Sequence, residues 1–410
     1  MPGALDGVRV LDFSRVFAGP AATQILGDLG ADIVKIEEPG RGDEARTFGM
    51  TEDGMSALGV SASFLALNRN KRSLALDLSN AEARGLARRL ALKSDVVLHN
   101  FRPGTMERWG LGHADLEDGN PGLIFCTFSA YGTKGPLGHL GANDLALQAH
   151  GGLMSITGEP DREPVRCGTS VIDLHGSLAM VSAVLAALFQ RTRTGKGQAI
   201  EASLLQSSAH LMNYFYTEYW LDGTVRAPMG TANHLSVPNQ AFPAKDGRVI
   251  IIAPSDEMWQ RCARALDAEA LGRAEFATAF QRRERREELV AALSAITARF
   301  TCAELVERLM AAKVNVSKVN SIGEAADDPQ LAAIGGTLAF DYAGREVRAV
   351  AAPFSMSASP SEVRLPPPRV GGDRDAILGE FGLEPDEIAR LAEAGAFGGA
   401  GQRRVVTLTS

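Results

Sequence analysis

A carboxylate held at the start of a buried helix is a residue capable of chemistry. One stretch of this chain offers such a setting. Residues 165–189 read VRCGTSVIDLHGSLAMVSAVLAALF: a small polar run from Cys167 to Ser170, then Asp173, then a long apolar segment. Leu174, Leu178, Val181, Val184, Leu185 and Leu188 recur with the spacing of one face of a 3.6-residue period, which predicts a helix. Gly176, Ser177, Ala179, Ala183, Ala186 and Ala187 line its other sides, so the helix is expected to be approached closely all round and buried. Basic residues in QRTRTGKG, with Gly195 or Gly197, end it. Asp173 thus falls at a helix N-terminus, where free N–H groups and the dipole favour a negative charge by about 0.3–1 kcal/mol at a surface. They should keep it ionised at neutral pH. A plain N-cap aspartate has the same local signature, and only the rest of the chain separates the two readings.

The remaining chemistry-bearing residues cluster after strands. VRVLDF (8–13), DIVKIE (32–37), KRSLALDL (71–78), DVVLH (95–99) and LIFCTF (123–128) read as strands. Between them lie a helix opened by Pro20 and another opened by the S-x-x-E spacing of Ser79 and Glu82. Such alternation predicts right-handed crossovers and an α/β fold with a mostly parallel, doubly wound sheet. Ligands of such sheets bind outside the carboxyl ends of the strands. Ser14, Arg15 and Val16 follow the first strand, Asn100, Phe101 and Arg102 the fourth, and Ser129, Tyr131 and Gly132 the fifth. Lys71 and Arg72 begin the third strand and Lys134 follows the fifth. Basic and small polar groups gathered at one sheet edge suit an anionic ligand carrying phosphates. Neither a G-x-G-x-x-G after the first strand nor a Walker pattern is present, which disfavours a dinucleotide dehydrogenase or a P-loop enzyme.

Composition sets the frame. The chain has 410 residues, enough for two or three domains, with 45% hydrophobic and 22% charged residues. A net charge of −7 argues against a general nucleic-acid binder. Cys126, Cys167, Cys262 and Cys302 lie far apart and form no CxxC or Cys/His cluster, which suggests reduced thiols and no structural zinc or other metal. MPGALDGVRV lacks the blocks of a signal peptide, and the strongest apolar run, Leu178 to Phe189, is too short to span a bilayer. A soluble, cytoplasmic protein without membrane or nucleic-acid partners is expected.

Further along, GQAIEASLL (197–205) is a strand running into a helix. Residues 1–223 are read as the N-terminal part of a large domain, and 224–247, broken by Gly, Pro and Asn, as a linker. RVIIIA (248–253), helices near 256–266, 285–300 and 302–312, and the strand VNVSKVN make a small α+β domain over 248–319. Residues 320–397 hold a short helix at DDPQL, a hairpin turning at Ala343-Gly344, the connector RLPPPRVGG and one last helix; 398–410 read as a loose tail.

Taken together, these segments resemble the class III CoA-transferases, the CaiB/BaiF or formyl-CoA transferase type. The matching stretches, in order, are LDGVRVLDFSRVFAGP, GDLGADIVKIEEPGRGDEAR, NRNKRSLALDL, NFRPGTMERWGL, the SAYG-x-x-GP loop, NDLALQAHGGLMSITG, the Asp173 segment and RTRTGKGQAIEASLL, covering nearly the whole chain. The resemblance implies a Rossmann-like large domain plus a small domain, in an interlocked homodimer whose C-terminal segment returns to the large domain. It implies that Asp173 is the nucleophile and that Asp144 lies near the reacting thioester. It further implies a CoA site built from Val16, Phe17, Ala18, the turn holding Lys71 and Arg72, Asn100, Phe101 and Arg108; Arg102, beside a strand end, joins them as a candidate phosphate partner. CoA and acyl-CoA would be substrates, with no permanently bound cofactor, and the partners would be a small carboxylic acid and a second copy of the chain.

That site implies a definite chemistry. A desolvated carboxylate attacks the thioester carbonyl to give a mixed anhydride, and CoA thiolate returns to the aspartyl carbonyl. The acceptor carboxylate then attacks the aspartyl-CoA thioester, and CoA finally attacks the acceptor's acyl group. Thioester energy is conserved, so neither ATP nor metal is required, but water must be excluded. The chain departs from the pattern in lacking a glycine-rich run over the site, in reading GGDRDAIL before the last helices, and in a longer terminus. Within the same fold an α-methylacyl-CoA racemase is the rival, needing a base on each face of the α-carbon. Its G-H-D motif here reads GAND, with Asn143 in the histidine's place, although His139 is close by. A non-catalytic CoA-binding protein is the alternative from another class. TANHLSVPNQ (231–240) falls where relatives place acceptor-facing loops, with His234 as either a ligand group or a satisfied loop histidine.

Overall fold

Six strands carry the alternation read from the sequence: β1 Arg9–Asp12, β2 Asp32–Glu37, β3 Lys71–Ala75, β4 Val96–His99, β5 Ile124–Ser129 and β6 Gln198–Ser203. The computed structural model describes residues 3–49, 58–268, 271 and 274–398. These strands form one parallel sheet in the order β3-β2-β1-β4-β5-β6, with Leu11 of β1 beside Val34 of β2 and Val97 of β4. Helices cover both faces, so the central strands are apolar at successive positions; Val10, Leu11, Val96, Val97 and Leu98 are all buried. On one face lie Leu86 and Leu90 of helix Ala81–Leu92 and Ile377 and Leu378 of helix Arg374–Glu380. On the other lie Ala22 and Leu26 of helix Ala18–Asp28 and Met180 and Val184 of helix Val171–Thr194. Each such leucine or valine contributes roughly 1.5–3 kcal/mol of burial.

The helix Val171–Thr194 is long and apolar enough to cross a membrane by length and composition, and here it packs on the sheet through Met180, Val181, Val184 and Ala187. It is not buried all round, as the spacing suggested. Leu174, Leu178 and Phe189 stand 39%, 43% and 60% exposed. Of the single face read from the spacing, Val181, Val184 and Leu188 are buried, while Leu174 and Leu178 lie at its edge and stay exposed.

Other elements differ from the sequence reading for local reasons. Helix Ala81–Leu92 is capped by Asn80, whose side chain accepts from the N–H groups of Glu82 and Ala83, while Ser79 instead donates to Asp77. β3 stops at Ala75, short of Leu78. The last helix is two, Arg374–Glu380 and Pro385–Glu393, separated at Gly382, which adopts φ +81°. The hairpin is as expected: β10 Thr337–Tyr342 pairs with β11 Arg345–Val350, and Ala343 and Gly344 both take positive φ, as a two-residue primed turn requires.

By contacts the described chain forms two compact units. The first comprises Met1–Leu153, Cys167–Gly223 and Ala333–Ser410, the second Met154–Arg166 and Thr224–Ala332. The stretch 224–247 is therefore more than a linker: β7, Asn239–Ala244, lies within it and pairs antiparallel with β8, Gly247–Ile252, which pairs in turn with β9, Asn315–Lys318. Its Pro and Gly content hid a strand at the sheet edge, where a proline is tolerated. Trp259, Leu289, Leu293, Leu305 and Leu309 form this unit's core against Val249 and Ile251. The tail from residue 399 lies outside the described residues.

Candidate active site

In the strand order 3-2-1-4-5-6 the chain leaves β1 and β4 toward opposite sides, which opens a crevice beyond their carboxyl ends. A cavity of about 270 Å³ lies there. One wall is the loop after β1 and the start of the following helix, Arg15 to Ala18; another is the loop after β4, Asn100 to Pro103; Asp173 lines it as well. The cavity thus gathers Val16, Phe17, Ala18, Asn100, Phe101, Arg102 and Asp173 from the residues singled out by sequence.

The loop after β1 is clamped at each residue. Asp12 Oδ1 accepts from Ser14 N–H at 2.8 Å and from its hydroxyl at 2.5 Å, and Lys35 Nζ donates to the Ser14 carbonyl at 2.7 Å. The Asn100 side chain accepts from Arg15 N–H at 2.9 Å and donates to the Arg15 carbonyl at 2.8 Å. Val16 N–H donates to Asp43 Oδ1 at 3.0 Å, and Asp43 in turn is 2.8 Å from Lys35 Nζ. Val16 has φ +70°, a left-handed conformation that is uncommon for a β-branched residue and costs on the order of 1–3 kcal/mol. Surrounding bonds over-determine it. Asn100 is therefore a part of the loop's scaffold as well as of the cavity wall. The sequence reading missed Lys35 and Asp43, the latter in a GRGD run too short to carry meaning alone.

Asp173 is buried, third in helix Val171–Thr194, and is not the helix cap. Ser170 occupies that position and makes no side-chain cap bond. The cap comes from Asp144, first residue of helix Asp144–His150, whose Oδ2 accepts from Ile172 N–H at 2.8 Å and from Asp173 N–H at 3.1 Å. The N–H groups expected to keep Asp173 ionised are thus spent on Asp144. Burial, with the Asp144 charge added, instead pushes the Asp173 carboxyl up to about 7. A desolvated carboxylate that deprotonates near neutrality is a strong nucleophile for its type. Gly176 lets this helix approach β5: a β-carbon there would lie 2.6 Å from Phe128 Cζ.

The basic candidates divide sharply. Arg15 and Arg102 line the cavity; the Arg15 guanidinium lies 4.8 Å over the Phe101 ring, and among the described residues neither arginine has a carboxylate partner. Arg15 also lines an adjoining cavity of about 160 Å³, together with Phe13, Ile36, Leu76, Leu78, Phe101 and Trp109. Lys71 and Arg72 do not face either space. Because alternate residues of a strand point to opposite faces, Lys71 turns inward, with its buried ammonium 2.9 Å from the Pro20 carbonyl, 3.0 Å from Asn68 Oδ1 and 3.4 Å from Asp12. Arg72 turns the other way, near the amino end of the sheet, and pairs with Asp32 at 2.7 Å and Glu380 at 2.8 Å. Both are corrected here from ligand contacts to internal ion partners. Arg108 is exposed on the short helix Thr105–Arg108, donates to Thr105 Oγ1 at 2.9 Å, and lines neither cavity.

Asn143 lines the cavity where a racemase would hold a base, and its side chain caps helix Asp144–His150 by accepting from Ala146 N–H. His139 is exposed and is not among the cavity's lining residues. Among the described residues no group of three His, Cys, Asp or Glu side chains is arranged to hold a metal ion.

The family model described as CoA-transferase family III matches residues 5–374. A succinate–glutarate CoA-transferase of Agrobacterium fabrum is 33% identical, aligned over 92% of this chain and 95% of the relative. A succinyl-CoA:mesaconate CoA-transferase of Haloarcula hispanica is 33% identical over 98% and 99%. The crystal structure of a CAIB/BAIF family protein from Brucella suis superposes with TM-score 0.83 at 32% identity, covering 93% of this chain and 100% of that one. The family model and these relatives show that the chain belongs to CoA-transferase family III.

Proposed function

We propose that the protein moves CoA from an acyl-CoA thioester to a small carboxylic acid through covalent intermediates on Asp173. The supporting observation is a buried carboxylate lining a cavity whose other walls present two unpaired arginines and a rigid backbone loop. Asp173 attacks the thioester carbonyl, expelling CoA thiolate and leaving an acyl-aspartyl anhydride. The thiolate attacks the aspartyl carbonyl, releasing the donor acid and forming aspartyl-CoA. The acceptor carboxylate attacks that thioester, expelling CoA thiolate and forming a second mixed anhydride; the thiolate then attacks the acceptor's acyl carbon, and the Asp173 carboxylate leaves restored. CoA is a substrate throughout, and neither cofactor nor metal enters a step. Its thioester end belongs beside Asp173, and the adjoining cavity ringed by Phe13, Leu76, Phe101 and Trp109 suits the nucleotide end, with Arg15 between them. The names of the relatives favour a dicarboxylate donor such as a succinyl thioester.

The test is to incubate the protein with several acyl-CoAs and a panel of carboxylates and to follow new thioesters by mass. Exchange is expected with at least one dicarboxylate pair. Racemisation without exchange supports the racemase reading, and binding without either reaction a non-catalytic role. Arg15→Ala and Arg102→Ala are each expected to weaken acyl-CoA binding about 10-fold or more, the worth of a charge-assisted contact. Arg108→Ala, Lys71 and Arg72 being set aside as above, should do so less. Unchanged affinity in the double variant would move the phosphate site elsewhere.

The assembly we propose is a homodimer, interlocked as the resemblance implies. Helix Val171–Thr194 leaves Leu174, Leu178 and Phe189 exposed, and helix Asn213–Asp222 exposes Tyr214, Tyr219, Trp220 and Leu221 with none of its residues buried. Two exposed apolar helix faces suit a second copy. Light scattering should give twice the chain mass down to nanomolar concentration, and a folded monomer would count against it. The four thiols, none in a disulfide, suit a reducing cytoplasm.

A further inference from the structure

Asp144 can cap the Asp173 helix only if its own carboxylate is fixed, and one side chain outside the family-implied set does this. Gln148 lies one turn along the same helix and is 0% exposed. Its Nε2 donates to Asp144 Oδ1 at 2.5 Å and to the Thr169 carbonyl at 3.4 Å, while its Oε1 accepts from Cys167 N–H at 2.8 Å. One buried amide thus joins Asp144 to the segment that leads into Asp173. With Gln148 on Oδ1, and Ile172 and Asp173 on Oδ2, both oxygens of the Asp144 carboxylate are bonded.

We propose that Gln148 is a positioning residue for the transfer reaction: it locks the Asp144 carboxylate and the Cys167–Thr169 segment together, and so sets the place and the electrostatic surroundings of Asp173. The inference rests on reading Asp173 as the nucleophile. Without the amide, Asp144 Oδ1 is a buried acceptor with no donor, and the carboxylate relieves this by rotating or by taking a proton. Rotation releases the first turn of the helix; protonation removes a charge beside Asp173. Several titratable groups lie on the elements that meet Asp144. Asp173 is on the helix that Asp144 caps. His175 on that helix bonds Ser207 at 2.7 Å and His210 at 3.2 Å, both from helix Leu204–Leu211. Cys167 precedes the nucleophile, and His150 ends the Asp144 helix.

Two substitutions separate positioning from bulk packing. Gln148→Met keeps the volume and loses every hydrogen bond. Gln148→Glu keeps the acceptor for Cys167 N–H but sets two carboxyls at bonding distance, so that they share one proton and the bond to Asp144 persists only while that proton remains. Acylation of the protein by an acyl-CoA is followed by mass between about pH 5.5 and pH 9, alongside acyl-CoA affinity by calorimetry. Wild-type acylation should rise with pH and level off. Gln148→Met should acylate about 100-fold more slowly, the scale of an ångström's misplacement, with a displaced midpoint and an acyl-CoA Kd within about 3-fold of wild type. Gln148→Glu should give a bell-shaped profile, falling again at high pH as the shared proton leaves. If wild-type protein is acylated and both variants keep its rate and midpoint, or lose binding and rate in parallel, the positioning role is wrong while the nucleophile stands. A wild-type protein that takes up no acyl group overturns both.

Discussion

Asp173→Asn should abolish CoA exchange, lowering the rate by roughly 10⁴-fold or more, because an amide of the same shape cannot attack a thioester. Acyl-CoA binding should stay within about 3-fold, since the arginines and the clamped loops remain in place. Asp173→Ala should be equally inactive. In the wild type, incubation with acyl-CoA alone should label the peptide holding Asp173, in a form that hydroxylamine removes. The pH dependence follows from the buried carboxyl. Burial and Asp144 raise it to about 7, so below that pH the group is protonated and inert, and acylation should climb through pH 7 to a plateau. Asp144→Asn removes the like charge but not the burial, so its midpoint should fall only part of the way toward an ordinary carboxyl. Stability should show the same group from the other side. In the wild type, ionising Asp173 opposes folding increasingly from its unfolded value near 4 up to about 7. Asp173→Asn should therefore gain stability over wild type across that window and hold the gain above it. A wild-type exchange rate in either Asp173 variant, or a label on Asp144, would remove Asp173 from the role.

That carboxylate's position was legible from sequence; its electrostatics were not. The strands and the residues following β1 and β4 could be read because the buried strands are nearly continuous apolar runs and the loops after them have short polar signatures. What Asp144 does could not be read, because it caps a helix that begins 27 residues later, at Val171, and its bonds depend on tertiary placement. Lys71 and Arg72 failed for a related reason. Adjacent residues on a strand point to opposite faces, and which face meets a ligand depends on the sheet order and on partners such as Asp12, Asp32 and Glu380. The Leu174–Leu178 stripe failed because a period of 3.6 finds apolar faces without saying what covers them. Lys35 and Asp43, eight residues apart, gave no signal at all: a lysine inside a strand and an aspartate in a loop are ordinary until the fold closes them on Val16.

Asp43→Ala should accordingly be among the most destabilising single substitutions in the first unit, by about 3–5 kcal/mol, the cost of leaving one partner of a buried ion pair uncompensated. Asp43 and Lys35 are both buried and in direct contact at 2.8 Å. Burial raises the Asp43 carboxyl, yet the Lys35 charge together with the hydrogen bonds from Lys35, Ala45 N–H and Val16 N–H outweighs this and holds it below the usual carboxylate range, so at neutral pH the pair is ionised. Deleting the carboxylate removes the ammonium's 2.8 Å ion partner, leaves Ala45 N–H without its 2.9 Å acceptor and frees Val16 from the bond that sustains its φ of +70°. The loop should then relax toward ordinary backbone angles, moving Phe17 and Ala18 at the cavity wall. Urea unfolding measures the first effect and acyl-CoA affinity the second. The double variant Asp43→Leu with Lys35→Met separates them, since an apolar pair of similar volume can recover much of the stability but supplies no acceptor for Val16 N–H. It should fold well and still bind acyl-CoA weakly. If Asp43→Ala loses less than about 1 kcal/mol, or the double variant binds as wild type does, then the ion pair is not what shapes the loop.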